Sequence, residues 1–185
     1  MDSGSIFQII ILIILLLLSA FFSSAETALT TVNRIRMRSL AEDGNSRAAC
    51  VLKVTDDSGK MLSAILIGNN IVNLSASSIA TSLALDMWGS VGAGIATGIL
   101  TLLILIFGEI SPKTIAAINA EKISLSYCNI IYWLMKLLTP VIFILNKLSI
   151  AFLFLLRVDP NAKDKAMTED CLLYTSPSPR DLSTS

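Results

Sequence analysis

The sequence predicts an all-α membrane protein: three transmembrane helices accompanied by juxtamembrane or re-entrant amphipathic helices, N-terminus outside and C-terminus cytoplasmic. Three observations carry the prediction. Of 185 residues, 54% are hydrophobic and only 15% charged, whereas soluble domains run near a quarter charged. Charge-free stretches long enough to cross a bilayer recur along the chain. The basic residues that separate them concentrate in one loop, which orients the whole.

The first span is read at residues 6–29, where Glu26 is the single charge and a helix would extend about 36 Å. A secretory signal peptide would need a basic leader and a shorter apolar run, but only Asp2 is charged ahead of it. Residues 31–60 then change character, with Arg34, Arg36, Arg38, Arg47, Lys53 and Lys60 among Glu42, Asp43, Asp56 and Asp57. Apolar residues still recur there (Val32, Ile35, Leu40, Val51, Leu52, Val54). The pattern fits short surface helices broken at Gly44-Asn45, and a solvated loop fits the periodicity as well.

The second span is read at 61–85 and the third at 91–112, joined by a tight connection at 86–90 in which only Asp86 is charged. The basic 31–60 loop therefore belongs in the cytoplasm, and Lys113 and Lys122 return there after the third span. Residues 123–156 are apolar but carry Lys136 and Lys147 and are split at Thr139-Pro140. Lysine at the membrane centre is costly, which favours a broken, interfacial or re-entrant element with snorkelling lysines over a fourth crossing. Residues 1–157 thus form the membrane domain and 158–170 the start of a cytoplasmic linker. From Cys171 the chain shifts abruptly to Ser and Pro without periodicity, so 171–185 reads as a non-native tail and takes no part in the fold.

Each span carries polar residues at helical spacing. Ser19, Ser23 and Glu26 share one face of the first, and Asn69, Asn73 and Ser77 one face of the second. The third carries Thr97 and Thr101 before Phe-Gly-Glu-Ile-Ser-Pro-Lys at 107–113. From span centres near residues 17, 73 and 101, Ser23, Asn69 and Glu109 lie roughly 9, 6 and 12 Å from the midplane. Because the spans alternate in direction, all three are displaced to the same side. Pro112 has no N–H to give the carbonyl of Gly108, so that oxygen is freed beside an intramembrane carboxylate, as in the interrupted helices of transporters.

The ligand inventory is hydroxyl, amide oxygen, carboxylate and carbonyl, which suits Mg²⁺, Ca²⁺ or Na⁺. The sequence has no histidine, and Cys50, Cys128 and Cys171 lack metal-ligand spacing and read as packing residues. Structural readings compete at each position. A membrane serine often bonds its own backbone, paired asparagines can join helices, and Glu109 can pair with Lys113 one turn on.

Taken together, Leu-Ser-Ala-Phe-Phe-Ser-Ser-Ala-Glu-Thr-Ala-Leu (18–29), Ile-Gly-Asn-Asn-Ile-Val-Asn (67–73) and the 107–113 segment resemble the transmembrane domain of the CNNM/CorC family. The likeness spans about residues 5–170. It implies three transmembrane helices with a juxtamembrane belt, a homodimer in the lipid bilayer of a bacterial-type plasma membrane, and Mg²⁺ export coupled to Na⁺ entry. By motif, Ser19, Ser23, Asn69 and Glu109 correspond to the family's ion site; Asn73 and the Gly108 carbonyl are added from spacing and from the proline. The family's cytoplasmic CBS-domain pair does not follow Asp170, so ATP regulation is not credited to this chain. No nucleic-acid partner and no enzymatic activity are expected, since an intramembrane enzyme would need a second acid, a histidine or an activated serine. The alternatives are a dimeric, non-transporting sensor or scaffold, and a passive channel.

Overall fold

The computed structural model describes residues 3–155. It comprises two compact units that meet in sequence between Thr139 and Pro140. No strand occurs among the described residues. The first unit begins with α1 (Ser3–Thr31), whose N-terminal half presents Ile6, Phe7, Ile10, Ile13, Ile14 and Leu17 outward. Its C-terminal half is different: Ser19, Phe22, Ser23, Ala25, Ala28 and Leu29 are buried.

The amphipathic reading of residues 31–60 holds as two short helices, α2 (Arg34–Glu42) and α3 (Ser46–Asp56). Both begin at an asparagine whose side-chain oxygen accepts two backbone N–H bonds. Asn33 takes those of Ile35 and Arg36 at 3.0 and 3.2 Å, and Asn45 those of Arg47 and Ala48 at the same distances. Such caps satisfy the orphan donors of a first turn, where neither helix has an acidic residue to do so. The break falls at Gly44, with φ 90°, and Asn45. Met37 of α2 and Ala48, Val51 and Val54 of α3 turn inward and are fully buried.

The second and third spans emerge as one helical trace, α4 (Ser58–Leu103), interrupted at Gly89 (φ 67°, ψ −170°). The expected connection at 86–90 thus contracts to a single backbone reversal in a region open essentially to glycine alone. The arms on either side lie together: Leu83 and Trp88 of the first and Ile95 and Ile99 of the second line one apolar groove. The first arm packs on α1 through small residues, Ala64, Gly68, Ala76 and Ala80. A Cβ on Gly68 would come within 2.6 Å of the Phe22 ring, so the absent side chain is what lets that ring pack directly on the helix.

After α4 the backbone widens into a π-helical segment (Ile104–Ile110), then narrows into α5 (Ser111–Ile118). Ser111 N–H reaches back five residues to Ile106 O. The widening has a local cause: it resets the hydrogen-bond ladder so that Pro112 falls in the first turn of α5, where no N–H partner is required. Asn119 then hands the chain to α6 (Ala120–Leu155). Ser124, Cys128, Ile131 and Met135, at helical spacing, form its buried face in the first unit.

Thr139-Pro140, expected to split the 123–156 region, does not end α6. One proline removes one ladder bond, and the remaining bonds carry the helix through it. In the second unit, from Pro140, α6 carries mainly exposed apolar side chains, Val141, Phe143, Ile144 and Leu148 among them. By length and composition, four helical stretches can cross a membrane: Gly4–Thr31, Ser58–Gly89, Gly94–Ile118 and Ala120–Ile150. The last is thus as capable of spanning as the three expected. The expected linker 158–170 and tail 171–185 lie outside the described residues.

Candidate cation site

Ser19 sits where α1, the first arm of α4 and the π-helical segment converge. Its hydroxyl donates to Asn73 Oδ1 at 2.7 Å and lies 3.4 Å from Gly108 O. A hydroxyl has one proton, so the short contact is the bond and the longer one is a close approach of the Gly108 carbonyl. Asn73 in turn points its amide nitrogen at Asn69 Oδ1, 3.5 Å away. Ser19 is fully buried and Asn69 nearly so.

These contacts fix the register. Ser19 against Asn73 and Phe22 against Gly68 make α1 antiparallel to the first arm of α4. Ser19 against Gly108 and Glu26 against Lys113 make it parallel to the π-helical segment and α5. In that register Ser23, one turn beyond Ser19, is level with Asn69, one turn before Asn73. Ser23 is completely buried, and its hydroxyl has no hydrogen-bond partner. A buried hydroxyl without a partner costs about 1–3 kcal/mol, which leaves the Ser23 oxygen free to meet a ligand at this level.

Gly108 completes the seam. A Cβ there would lie 3.0 Å from Ser19 Oγ, 3.2 Å from Leu16 Cδ1 and 3.4 Å from Ser19 Cβ. Only a residue without a side chain lets the π-helical segment bring its carbonyl this close to α1. The neutral oxygens of Ser19, Ser23, Asn69, Asn73 and Gly108 can therefore act as hard ligands.

Glu109 is placed differently. Its Oε1 is 3.3 Å from Lys113 Nζ, and the same ammonium lies 3.5 Å from Glu26 Oε2. All three side chains are between a third and two fifths exposed. Of the six expected ligands, the structure joins Ser19, Asn73 and Gly108 directly and Asn69 through Asn73; it levels Ser23 with them and shows Glu109 held by a lysine. Pairing one turn on was legible from the i, i+4 spacing. That Glu26 shares the lysine was not, because it depends on how far α5 runs along α1. The π-helical widening was also missed; its only trace in the sequence is Pro112. Among the described residues, no three His, Cys, Asp or Glu converge as a metal cluster.

Comparison with known proteins adds the following. The family model for the cyclin M (CNNM) transmembrane N-terminal domain matches residues 10–174. A UPF0053 protein of Haemophilus influenzae is 47% identical over 126 residues, covering 68% of this chain and 30% of that protein. The UPF0053 inner membrane protein YfjD of Escherichia coli is 41% identical over 129 residues, 70% of this chain and again 30% of the relative. A more distant relative, 27% identical over 161 residues (80% of this chain, 37% of the relative), is a polyamine export protein of Haemophilus influenzae. The chain therefore spans about 30% of the length of its two more similar relatives here.

Proposed function

Because the chain belongs to the CNNM transmembrane N-terminal domain family and is an integral membrane protein, we propose that it forms the transport core of a Mg²⁺ exporter driven by Na⁺ entry. The observation that carries the reading is the convergence on Ser19 of Asn73 and the Gly108 carbonyl, with the unpartnered Ser23 hydroxyl one turn away. Each group is an oxygen inside the bundle, the ligand type that hard cations take. Carbonyl exposure beside an irregular helical turn is how transporter helices present backbone to ions.

Glu109 and Glu26 supply the charge. With Lys113 between them, one of the two carboxylate charges is offset while the site is empty. A divalent cation entering beside Gly108 competes with the ammonium for Glu109, and releasing Lys113 offsets part of the cost of dehydrating the ion. Residues 6–29, 61–85 and 91–112 cross the bilayer, with 31–60 cytoplasmic and the N-terminus outside. Two copies associate in a plasma membrane of bacterial type.

A second reading has its own observation. Glu26 and Glu109 already hold an alkylammonium, that of Lys113, and one relative is a polyamine export protein. An organic polycation could use the same carboxylates.

The test is flux in proteoliposomes loaded with a Mg²⁺-sensitive dye, with and without a Na⁺ gradient, comparing wild type with Glu109→Gln. Na⁺-dependent Mg²⁺ flux that disappears in the variant supports the exporter. Labelled spermidine moving in place of Mg²⁺ transfers the site to the polycation reading. A folded wild type that moves neither leaves a non-transporting scaffold and refutes both.

A further inference from the structure

Three stretches able to cross the membrane have an end in one place. Gly4–Thr31 stops just before α2, Gly94–Ile118 stops with α5, and Ala120–Ile150 starts two residues after Ile118. An ion pair ties these ends together: Arg36 Nε of α2 lies 2.8 Å from Glu121 Oε2 of α6. Hydrophobic length fixes where a helix leaves the hydrocarbon, so the junction lies at the level of the lipid headgroups. It is also hollow. Arg36, Ile118, Asn119, Glu121 and Lys122 line a pocket of about 280 Å³.

The protein does not use up the donors of this pocket. The Arg36 ion pair runs through Nε, and a guanidinium carries further N–H groups on its two terminal nitrogens. The Arg36 side chain is 65% exposed, so those groups can be reached from outside. Lys122 enters no ion pair among the described residues. Asn119 gives one amide N–H to Ile115 O at 3.3 Å and has a second to give. Arg36 and Lys122 against the single carboxylate of Glu121 leave the pocket net positive. An exposed ion pair adds little to stability; here it fixes a guanidinium at the edge of the pocket. The flank has the opposite chemistry. Ile115 and Ile118, three residues apart on one face of α5, are 57% and 78% exposed.

We propose that this junction binds an anionic phospholipid, with its phosphate held by Arg36, Asn119 and Lys122 and its acyl chains laid against Ile115 and Ile118. A guanidinium meets a phosphate through parallel N–H bonds, and with Nε turned to Glu121 the terminal nitrogens remain for the lipid. Basic pockets between membrane helices are an established form of headgroup site. The site uses none of the residues assigned to the cation site, so the inference stands whichever ion the protein carries.

The experiment counts lipids on the full chain. Purified in a mild detergent, the protein is titrated with phosphatidylglycerol or phosphatidylcholine, and bound lipid is counted by native mass spectrometry. Phosphatidylglycerol should be retained at concentrations where phosphatidylcholine is not. One basic residue beside an anionic lipid is worth about fivefold in affinity, so Lys122→Gln should bind about fivefold more weakly and Arg36→Gln with Lys122→Gln about 25-fold. Lys122→Gln breaks no ion pair among the described residues, so its weakened binding reads the pocket even if the double variant fails to fold. Arg38→Gln with Arg47→Gln removes the same charge from exposed positions of α2 and α3 outside the pocket and should leave binding unchanged. Inorganic phosphate at the concentration of the lipid should not displace it, having no chains to lie on α5. The inference is overturned if the two lipids bind alike, if Lys122→Gln binds as wild type, or if the outlying pair of substitutions weakens binding as much as the pocket pair. Displacement by inorganic phosphate would overturn it too, by assigning the pocket to a soluble anion.

Discussion

Replacing Gly108 with alanine tests the seam on which the candidate site depends. The added methyl would lie 3.0 Å from Ser19 Oγ, 3.2 Å from Leu16 Cδ1 and 3.4 Å from Ser19 Cβ, where carbon atoms rest at about 3.5–4.0 Å. Leu16 can give way by turning its terminal methyl. Ser19 cannot, because its hydroxyl is held by Asn73 at 2.7 Å and its Cβ is rigid with α1. The structure must separate α1 from the π-helical segment by a few tenths of an ångström or break the Ser19–Asn73 bond. Overpacking of this kind costs about 1–3 kcal/mol, and an interhelical hydrogen bond in a membrane adds roughly 0.6–1.7 kcal/mol. Alanine's better helix propensity returns about 1 kcal/mol. A net loss of about 1–3 kcal/mol is expected, measured by unfolding in mixed micelles through tryptophan fluorescence, together with loss of Mg²⁺ flux. Ser19→Ala removes the nearest colliding atom, so the double variant should be more stable than the sum of the single losses implies. If Gly108→Ala keeps wild-type stability and flux, or if the two losses simply add, the packing described for this seam is wrong.

Further outcomes follow from other parts of the molecule. Ser23→Ala removes a buried hydroxyl that has no partner, so the ion-free protein should be unchanged or stabilised by up to about 1–3 kcal/mol. Protection against unfolding by added Mg²⁺ should fall at the same time; retained protection would exclude Ser23 as a ligand. Asn33→Ala and Asn45→Ala each remove a cap accepting two N–H bonds and should each cost about 0.5–2 kcal/mol. Hydrogen exchange in the first turns of α2 and α3 should rise, with ion selectivity unaltered. Gly89→Ala forces a side chain into φ 67°, ψ −170° and should cost about 1–3 kcal/mol, read as a lower unfolding midpoint; an unchanged midpoint would show that the reversal lies elsewhere.

Much of this was legible in the residues because membrane helices obey local rules. The apolar runs at 6–29 and 61–85, the turn at 86–90 and the break at Gly44-Asn45 are properties of short segments, and each reappears as a helix or an interruption of one. Polar residues at every fourth position placed Ser19, Asn69 and Asn73 on inward faces, since a hydroxyl or amide in lipid must find a partner. Thr139-Pro140 misled for the opposite reason. Local rules set the cost of a proline, but one missing ladder bond does not by itself end a helix, and α6 continues through it.

By itself, the sequence determined the helical class, the alternation of apolar runs with a basic loop, and the oxygen chemistry of the polar stripes. It did so because lipid leaves a backbone few choices and hydrophobic length is counted along the chain. Only the tertiary structure decided which oxygens meet. Ser19 reaches Asn73 and Gly108 because α1 lies antiparallel to one arm of α4 and parallel to the π-helical segment, with glycine at both close approaches. It also decided that Glu26 of α1 shares Lys113 with Glu109. Those pairings link residues dozens of positions apart, and their geometry follows from helix register, which spacing within one segment does not encode.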